Sequence, residues 1–129
     1  LYAITDCIDK RLLLSCHDIS DGGFITTVSE MLLGGEAKGR IGAKINIDFS
    51  NLRADRILFS ESSGFVFEVN DENIKKVGEI FKKYNLKLIE LGKTCSDSLI
   101  VTKKNKEMIN LPIWELKKSW NNGFSDAMR

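Results

Sequence analysis

His17-Asp18-Ile19-Ser20-Asp21-Gly22-Gly23 stands between two apolar segments of different period. Before it, Leu12-Leu13-Leu14 lies in a short run, Arg11 to His17, that reads as a strand. After it, Phe24, Ile25, Val28, Met31 and Leu32 fall on one helical face, and Gly34-Gly35 stops that helix. A strand turning directly into a helix is the basic step of a sheet covered by helices. The turn also gathers two carboxylates, a hydroxyl, the single histidine and a glycine pair. Backbone N–H groups at a helix start favour negative charge, so such turns are where α/β proteins hold phosphates and metal ions.

Working outward, Leu1 to Lys10 has apolar residues at 1, 4, 7 and 8, the period of a helix. Ile41 to Phe49 alternates and reads as a strand with one buried face. Arg53 to Phe59 reads as a short helix or turn, and Gly64 to Val69 as a strand. Asp71 is placed to cap a helix through Tyr84, with Ile74, Val77, Ile80 and Phe81 as its apolar stripe. Leu86 to Leu91 reads as a strand broken by Gly92, and Ser98 to Thr102 as the next, with Asp97-Ser98 as the turn before it. Glu107 to Asn110 is weakly strand-like. The only proline, Pro112, fits the first turn of a last helix ending near Trp120. Leu111, Trp114 and Leu116 are expected to fold that helix onto the core. The order predicts a single α+β domain over 1–129 with a mixed sheet, antiparallel in part.

Within the turn, Asp18 sits at a strand exit, a usual place for ligand-facing acids. A carboxylate there suits Mg²⁺, a hard cation that takes oxygen ligands and nucleotide phosphates together. Ser20 has a hydroxyl to offer a phosphate, and Gly22 and Gly23 allow close backbone approach. A plainer reading stands beside this one: Ser20 or Asp21 caps the following helix and the glycines only shape the turn. The turn matches neither the P-loop nor the Rossmann fingerprint. Cys16 and His17 are consecutive in a strand, so they point to opposite faces and form no catalytic dyad. His17 reads as a packed or turn-orienting residue. Ser60-Glu61-Ser62-Ser63-Gly64 either reaches a ligand through Glu61 or is a solvated turn with local hydroxyl hydrogen bonds.

With 19 basic and 18 acidic residues in 129, the net charge of +1 gives no general reason for a nucleic-acid or membrane partner. The lysines at 75–76, 82–83 and 103–106 read as solvated helix faces and a turn. Trp114 and Trp120 lack the basic groove a base-stacking platform needs. Three cysteines, Cys7, Cys16 and Cys95, without a C-x-x-C spacing argue against a disulfide framework or structural zinc. Reduced thiols and the lack of a signal-peptide pattern lead to a cytoplasmic expectation. No apolar run approaches the roughly 20 residues of a membrane span. The first residue, Leu1, suggests a piece of a longer chain.

Four separated segments share one resemblance: Ser15 to Phe24 (SCHDISDGGF), Leu58 to Val69 (LFSESSGFVFEV), Leu91 to Val101 (LGKTCSDSLIV) and Leu111 to Trp120 (LPIWELKKSW). In this order they resemble the C-terminal domain of phosphoribosylformylglycinamidine synthase, the large synthetase subunit or subunit II. It belongs to the superfamily related to aminoimidazole ribonucleotide synthetase. The form of the 18–23 turn is similar to the second of that enzyme's two pseudo-repeated halves. It is less like the turns of aminoimidazole ribonucleotide synthetase, selenophosphate synthetase or thiamine-monophosphate kinase.

The resemblance implies an α+β domain in three layers (α/β/α), partly ferredoxin-like. It implies an ATP-dependent ligase of purine biosynthesis: ATP phosphorylates the amide oxygen of formylglycinamide ribonucleotide, and glutamine-derived ammonia displaces phosphate. Mg²⁺ and ATP are the implied ligands. Asp18 matches a metal-ligating position. Ser20 matches a nucleotide contact at an auxiliary site. Asp21, Gly22 and Gly23 match the turn itself, and Glu61 and Ser62 the family's glutamate–serine turn. The arginine that many members carry shortly after that serine is missing, since Phe65 follows Gly64 directly. None of the cysteines matches the glutaminase nucleophile. The implied partners are companion N-terminal domains, across whose cleft nucleotide binds, a glutaminase subunit and a small accessory subunit. An isolated domain is expected to be inactive and to self-associate through apolar surface near the glycine turn and Phe24 or Phe65. The alternatives are a stand-alone nucleotide-binding or interaction module, or a kinase-like relative of the same superfamily.

Overall fold

A computed structural model describes residues 1–34 and 41–127. The elements are α1 (Tyr2–Asp9), β1 (Leu13–Asp18), α2 (Gly23–Leu33), β2 (Gly42–Asn46), α3 (Ala54–Leu58) and β3 (Phe65–Val69). A 3-10 turn at Asp71–Asn73 then leads into α4 (Ile74–Lys83), followed by β4 (Gly92–Cys95), β5 (Ser98–Lys103), β6 (Lys106–Pro112) and α5 (Ile113–Ala127). The fold is α+β, as the sequence pattern predicts.

The strands divide between two sheets. β4, β2, β5 and β6 form a four-stranded mixed sheet in that order; β2 and β5 are parallel and the other two pairs antiparallel. β1 and β3 form a separate antiparallel pair, in which Asp18 lies opposite Phe65. The β5–β6 hairpin turns on Lys104 and Asn105, both with positive φ (50° and 61°), the two-residue geometry that matches strand twist.

Two apolar clusters follow from this division. α2, α3 and α5 cover the four-stranded sheet: Phe24, Ile25 and Val28 meet Ala43, Ile45, Ile47, Leu99 and Val101, with Ile57, Leu58 and Ile113. Each of the larger of these side chains contributes roughly 1.5–3 kcal/mol on burial. α1 and α4 pack Ala3, Ile4, Cys7, Val77, Ile80 and Phe81 together with Leu12. Alternation along β3 serves both clusters, Val66 facing the first and Phe67 and Val69 the second. The strand pair therefore sits between the two clusters and carries the 17–23 turn at its end.

The structure corrects several sequence expectations. The strand expected at Leu86–Leu91 forms instead at Gly92–Cys95. Leu86, Leu88 and Ile89 are apolar, yet they are exposed and form no strand pairing among the described residues. Gly92 starts the strand because its φ of 154° opposite Ile45 leaves no room for a Cβ against the carbonyl of Lys44. Asp71 caps nothing; it lies in the 3-10 turn, and its carboxylate is 3.7 Å from Lys93 Nζ. Pro112 ends β6 rather than opening the last helix. That helix docks through Ile113 and Leu116, while Trp114 is exposed. Phe24 is core, in an edge-on contact with Phe49 at 6.2 Å, so it adds no exposed apolar surface. The helix stop at Gly34 is observed, with its N–H bonded to Glu30 O, whereas Gly35 lies outside the described residues.

Candidate functional site

β1 delivers His17 and Asp18 to the sheet end, and β3 begins beside them. Ile19 N–H donates to Gly64 O at 2.9 Å, which continues the strand pairing into the turn. Gly23 N–H then donates to Ser20 O at 3.0 Å and the chain enters α2. Gly22 and Gly23 both have positive φ, 90° and 80°. A Cβ on Gly23 would lie 2.5 Å from the backbone carbon of Phe59 and 2.8 Å from Ser60 O. The glycine is thus needed for direct backbone contact between the 20–23 turn and the 59–61 segment.

That contact brings Glu61 into the turn. Its Oε1 accepts the N–H of Gly22 at 3.1 Å, across 39 residues of chain. Ser62 is not brought in with it: its hydroxyl is 2.8 Å from that of Ser60, and its N–H donates to Ser60 Oγ at 3.3 Å. The 60–62 segment is therefore a local hydroxyl turn that aims one carboxylate at the helix start.

The capping alternative for the first turn fails. The N-cap of α2 is Gly22, and no capping side-chain hydrogen bond is made there. Ser20 and Asp21 are exposed and are not consumed as caps. Asp18 is also exposed, and among the described residues its carboxylate accepts no hydrogen bond; the His17 ring faces it, Nδ1 to Oδ1, at 3.6 Å. Ser20 and the carboxylates Asp18, Asp21 and Glu61 thus belong to the two turns that meet at the positive end of α2.

His17 and Cys16 point to opposite faces, as consecutive strand residues must. Cys16 packs against the α1–α4 cluster. Burial pushes the Cys16 thiol up, with Asp18 adding to it; burial does the same to Cys7, where Asp6 adds. Both are poor nucleophiles. His17 faces α2: its Nε2 is 3.1 Å from Glu30 Oε2, and its Nδ1 donates to Asp18 O at 2.6 Å. Thr27, fully buried, places Oγ1 3.2 Å from Gly23 O and 3.4 Å from Asp18 O. Sequence reasoning missed Thr27 and Glu30. The available signal was two polar residues three apart, hence on one helix face, inside an apolar helix.

Among the described residues no three His, Cys, Asp or Glu side chains gather as a metal site. The donor set therefore fits Mg²⁺ only in its usual nucleotide form, one carboxylate with phosphate oxygens and water completing the shell. Asp18 is an unconsumed carboxylate of that kind.

The model of the AIR synthase related protein C-terminal domain family matches residues 1–104, from α1 through the β5–β6 turn. The chain belongs to that family. It is 34% identical over 130 residues to phosphoribosylformylglycinamidine synthase subunit PurL of Methanothrix thermoacetophila, matching 100% of this chain and 16% of that protein. It is 34% identical over 112 residues to the probable tegument protein antigen 3 of Alcelaphine herpesvirus 1, 86% of this chain and 8% of that one. A solved structure of Thermotoga maritima PurL complexed with ATP shares the fold, with a TM-score of 0.77 at 20% identity over 89% of this chain and 20% of that one. This AIR synthase related domain thus spans a small part of the relatives it matches. No described helix is long and apolar enough to cross a membrane.

Proposed function

We propose that this domain is the C-terminal part of a phosphoribosylformylglycinamidine synthase, in which it forms one wall of a nucleotide site. The observation that carries the reading is the turn at 18–23. Its polar side chains are not spent on capping α2, and a second turn from 59–61 is held against it by a backbone contact that only glycine permits. The similarity to the Methanothrix subunit over the whole chain supports the same reading.

In this reading Asp18 would hold Mg²⁺, which would supply charge neutralisation to the nucleotide phosphates. Ser20 donates its hydroxyl to a phosphate. Asp21, Gly22 and Gly23 form the turn against which the nucleotide lies, with Glu61 and Ser62 on its far rim. Glu61 already neutralises the N–H of Gly22, so a phosphate reaches that N–H only by displacing it. The whole enzyme would convert formylglycinamide ribonucleotide, ATP and glutamine-derived ammonia to the amidine, in the cytoplasm. Companion N-terminal domains would complete the cleft, and a glutaminase subunit with a small accessory subunit would deliver ammonia. Phe59 and Phe65, 63% and 42% exposed beside the turns, are the apolar surface such a companion would cover and through which an isolated domain would self-associate.

The test is turnover by the full-length protein that carries this domain, supplied with formylglycinamide ribonucleotide, Mg-ATP and an ammonium salt. Formation of the amidine with stoichiometric ADP supports the assignment. ADP release independent of the ribonucleotide would point to a kinase-like relative instead.

A further inference from the structure

The geometry points to His17 as a positioning residue for Asp18: it holds the last peptide of β1 so that the Asp18 carboxylate stays available to a divalent cation. This rests on the nucleotide-site reading above. The His17 ring bridges two elements. On one side Nδ1–H donates to the carbonyl of Asp18 at 2.6 Å; on the other Nε2 meets Glu30 of α2 at 3.1 Å. Thr27 Oγ1 approaches the same carbonyl at 3.4 Å. The backbone of Asp18 is thereby tied to α2 twice, from two positions of that helix, while its side chain keeps its oxygens free of hydrogen bonds among the described residues.

The arrangement has a physical reason. Asp18 is the last residue of a two-stranded pair, where strand ends fray most readily. A flexible aspartate binds a cation more weakly because ordering it costs entropy. Fixing its carbonyl through a ring that also meets Glu30 of α2 removes part of that cost before the cation arrives. His17 and Glu30 are both about one-third exposed, so the bridge lies at the edge of the site. It is also built from the face of β1 opposite Cys16, which packs on the other cluster.

The two ring nitrogens can be tested separately in the full-length protein. His17→Asn retains a donor near the Nδ1 position and loses Glu30. His17→Gln retains one near Nε2 and loses the Asp18 carbonyl. His17→Ala loses both. ATP affinity is measured by calorimetry with saturating Mg²⁺ and again in EDTA, beside unfolding midpoints. Asp18→Asn defines the part of the affinity that depends on metal at this site. His17→Ala and His17→Gln should lose roughly tenfold in ATP affinity with Mg²⁺, the scale seen for residues that orient metal ligands. His17→Asn should lose no more than Glu30→Ala, and affinity in EDTA should be the same for all. Glu30→Ala, remote from the ligand, should show a smaller loss in the same direction. Equal Mg²⁺-dependent affinity in wild type, His17→Ala and His17→Gln, alongside a loss in Asp18→Asn, overturns the positioning role and leaves the site. A loss in His17→Asn equal to that in His17→Ala also overturns it. No loss in Asp18→Asn overturns the site itself, and the positioning role with it.

Discussion

Asp18 and Asp48 both stand at strand exits and both are exposed, yet their carboxylates have different surroundings. Asp48 follows β2. One of its oxygens accepts the N–H of Lys104 at 2.7 Å and the other the side-chain amide of Asn46 at 3.0 Å, while its own N–H donates back to Asn46 Oδ1 at 2.8 Å. The same corner holds the amide of Asn46 near the hydroxyl of Thr102, and the buried Lys103, whose Nζ donates to Ser50 O at 2.8 Å. That carboxylate is used to pin the β5–β6 hairpin to the end of β2. At the exit of β1 His17 and Thr27 approach the Asp18 carbonyl instead, and among the described residues its carboxylate accepts no hydrogen bond, with only the His17 ring near it, at 3.6 Å. An acid consumed by its own fold is structural; an acid whose backbone is held while its oxygens stay free is a candidate ligand.

The largest effect expected from breaking this comparison comes from the turn that separates the two corners. Gly23→Ala forces a Cβ into the backbone of Phe59 at a φ of 80°. Strain and overpacking together should cost about 2–5 kcal/mol, read as a lower urea midpoint. Asp48→Asn should have the next largest effect, lowering the thermal midpoint by releasing the hairpin. It should also change the acid limb. The Lys104 N–H first, and the Asn46 amide second, hold the Asp48 carboxyl below its usual range. Stability from a depressed carboxyl is present above the unfolded value of about 3.9 and is lost as pH falls through the lower folded value. Wild type should therefore lose stability below about pH 4, and Asp48→Asn should show a shallower loss over the same range. Glu61→Ala should give a smaller fall in midpoint, because it removes one exposed acceptor from Gly22 N–H. Asp18→Asn should leave the midpoint unchanged; a fall as large as that of Asp48→Asn would erase the distinction between the two acids.

Much of this was legible in the residues because it is local. The glycine pair, the apolar stripe of Phe24, Ile25 and Val28, and the alternation of Ile41–Phe49 each report a period that needs no partner. The strand at Gly92–Cys95 was not legible, since all four of its residues are exposed and it exists only by pairing with β2. Leu86–Leu91 misled because a short apolar run without a neighbouring strand is only a pattern. At the site, spacing put Asp18, Ser20 and the glycines in one turn. It could not say whether Ser20 or Asp21 capped α2, because a cap depends on side-chain direction. The Glu61–Gly22 bond and the His17–Glu30 bridge cross between elements, and only the folded arrangement of β1, α2 and β3 reveals them.

The central claim is that the Asp18 exit binds ligand and the Asp48 exit does not. Calorimetric titration of the full-length protein with ATP, with and without Mg²⁺, compares Asp18→Asn and Asp48→Asn with wild type. Asp18→Asn should lose the Mg²⁺-dependent gain in ATP affinity, while Asp48→Asn, though less stable, should keep it. Retention of that gain in Asp18→Asn, or its loss in Asp48→Asn alone, would contradict the account.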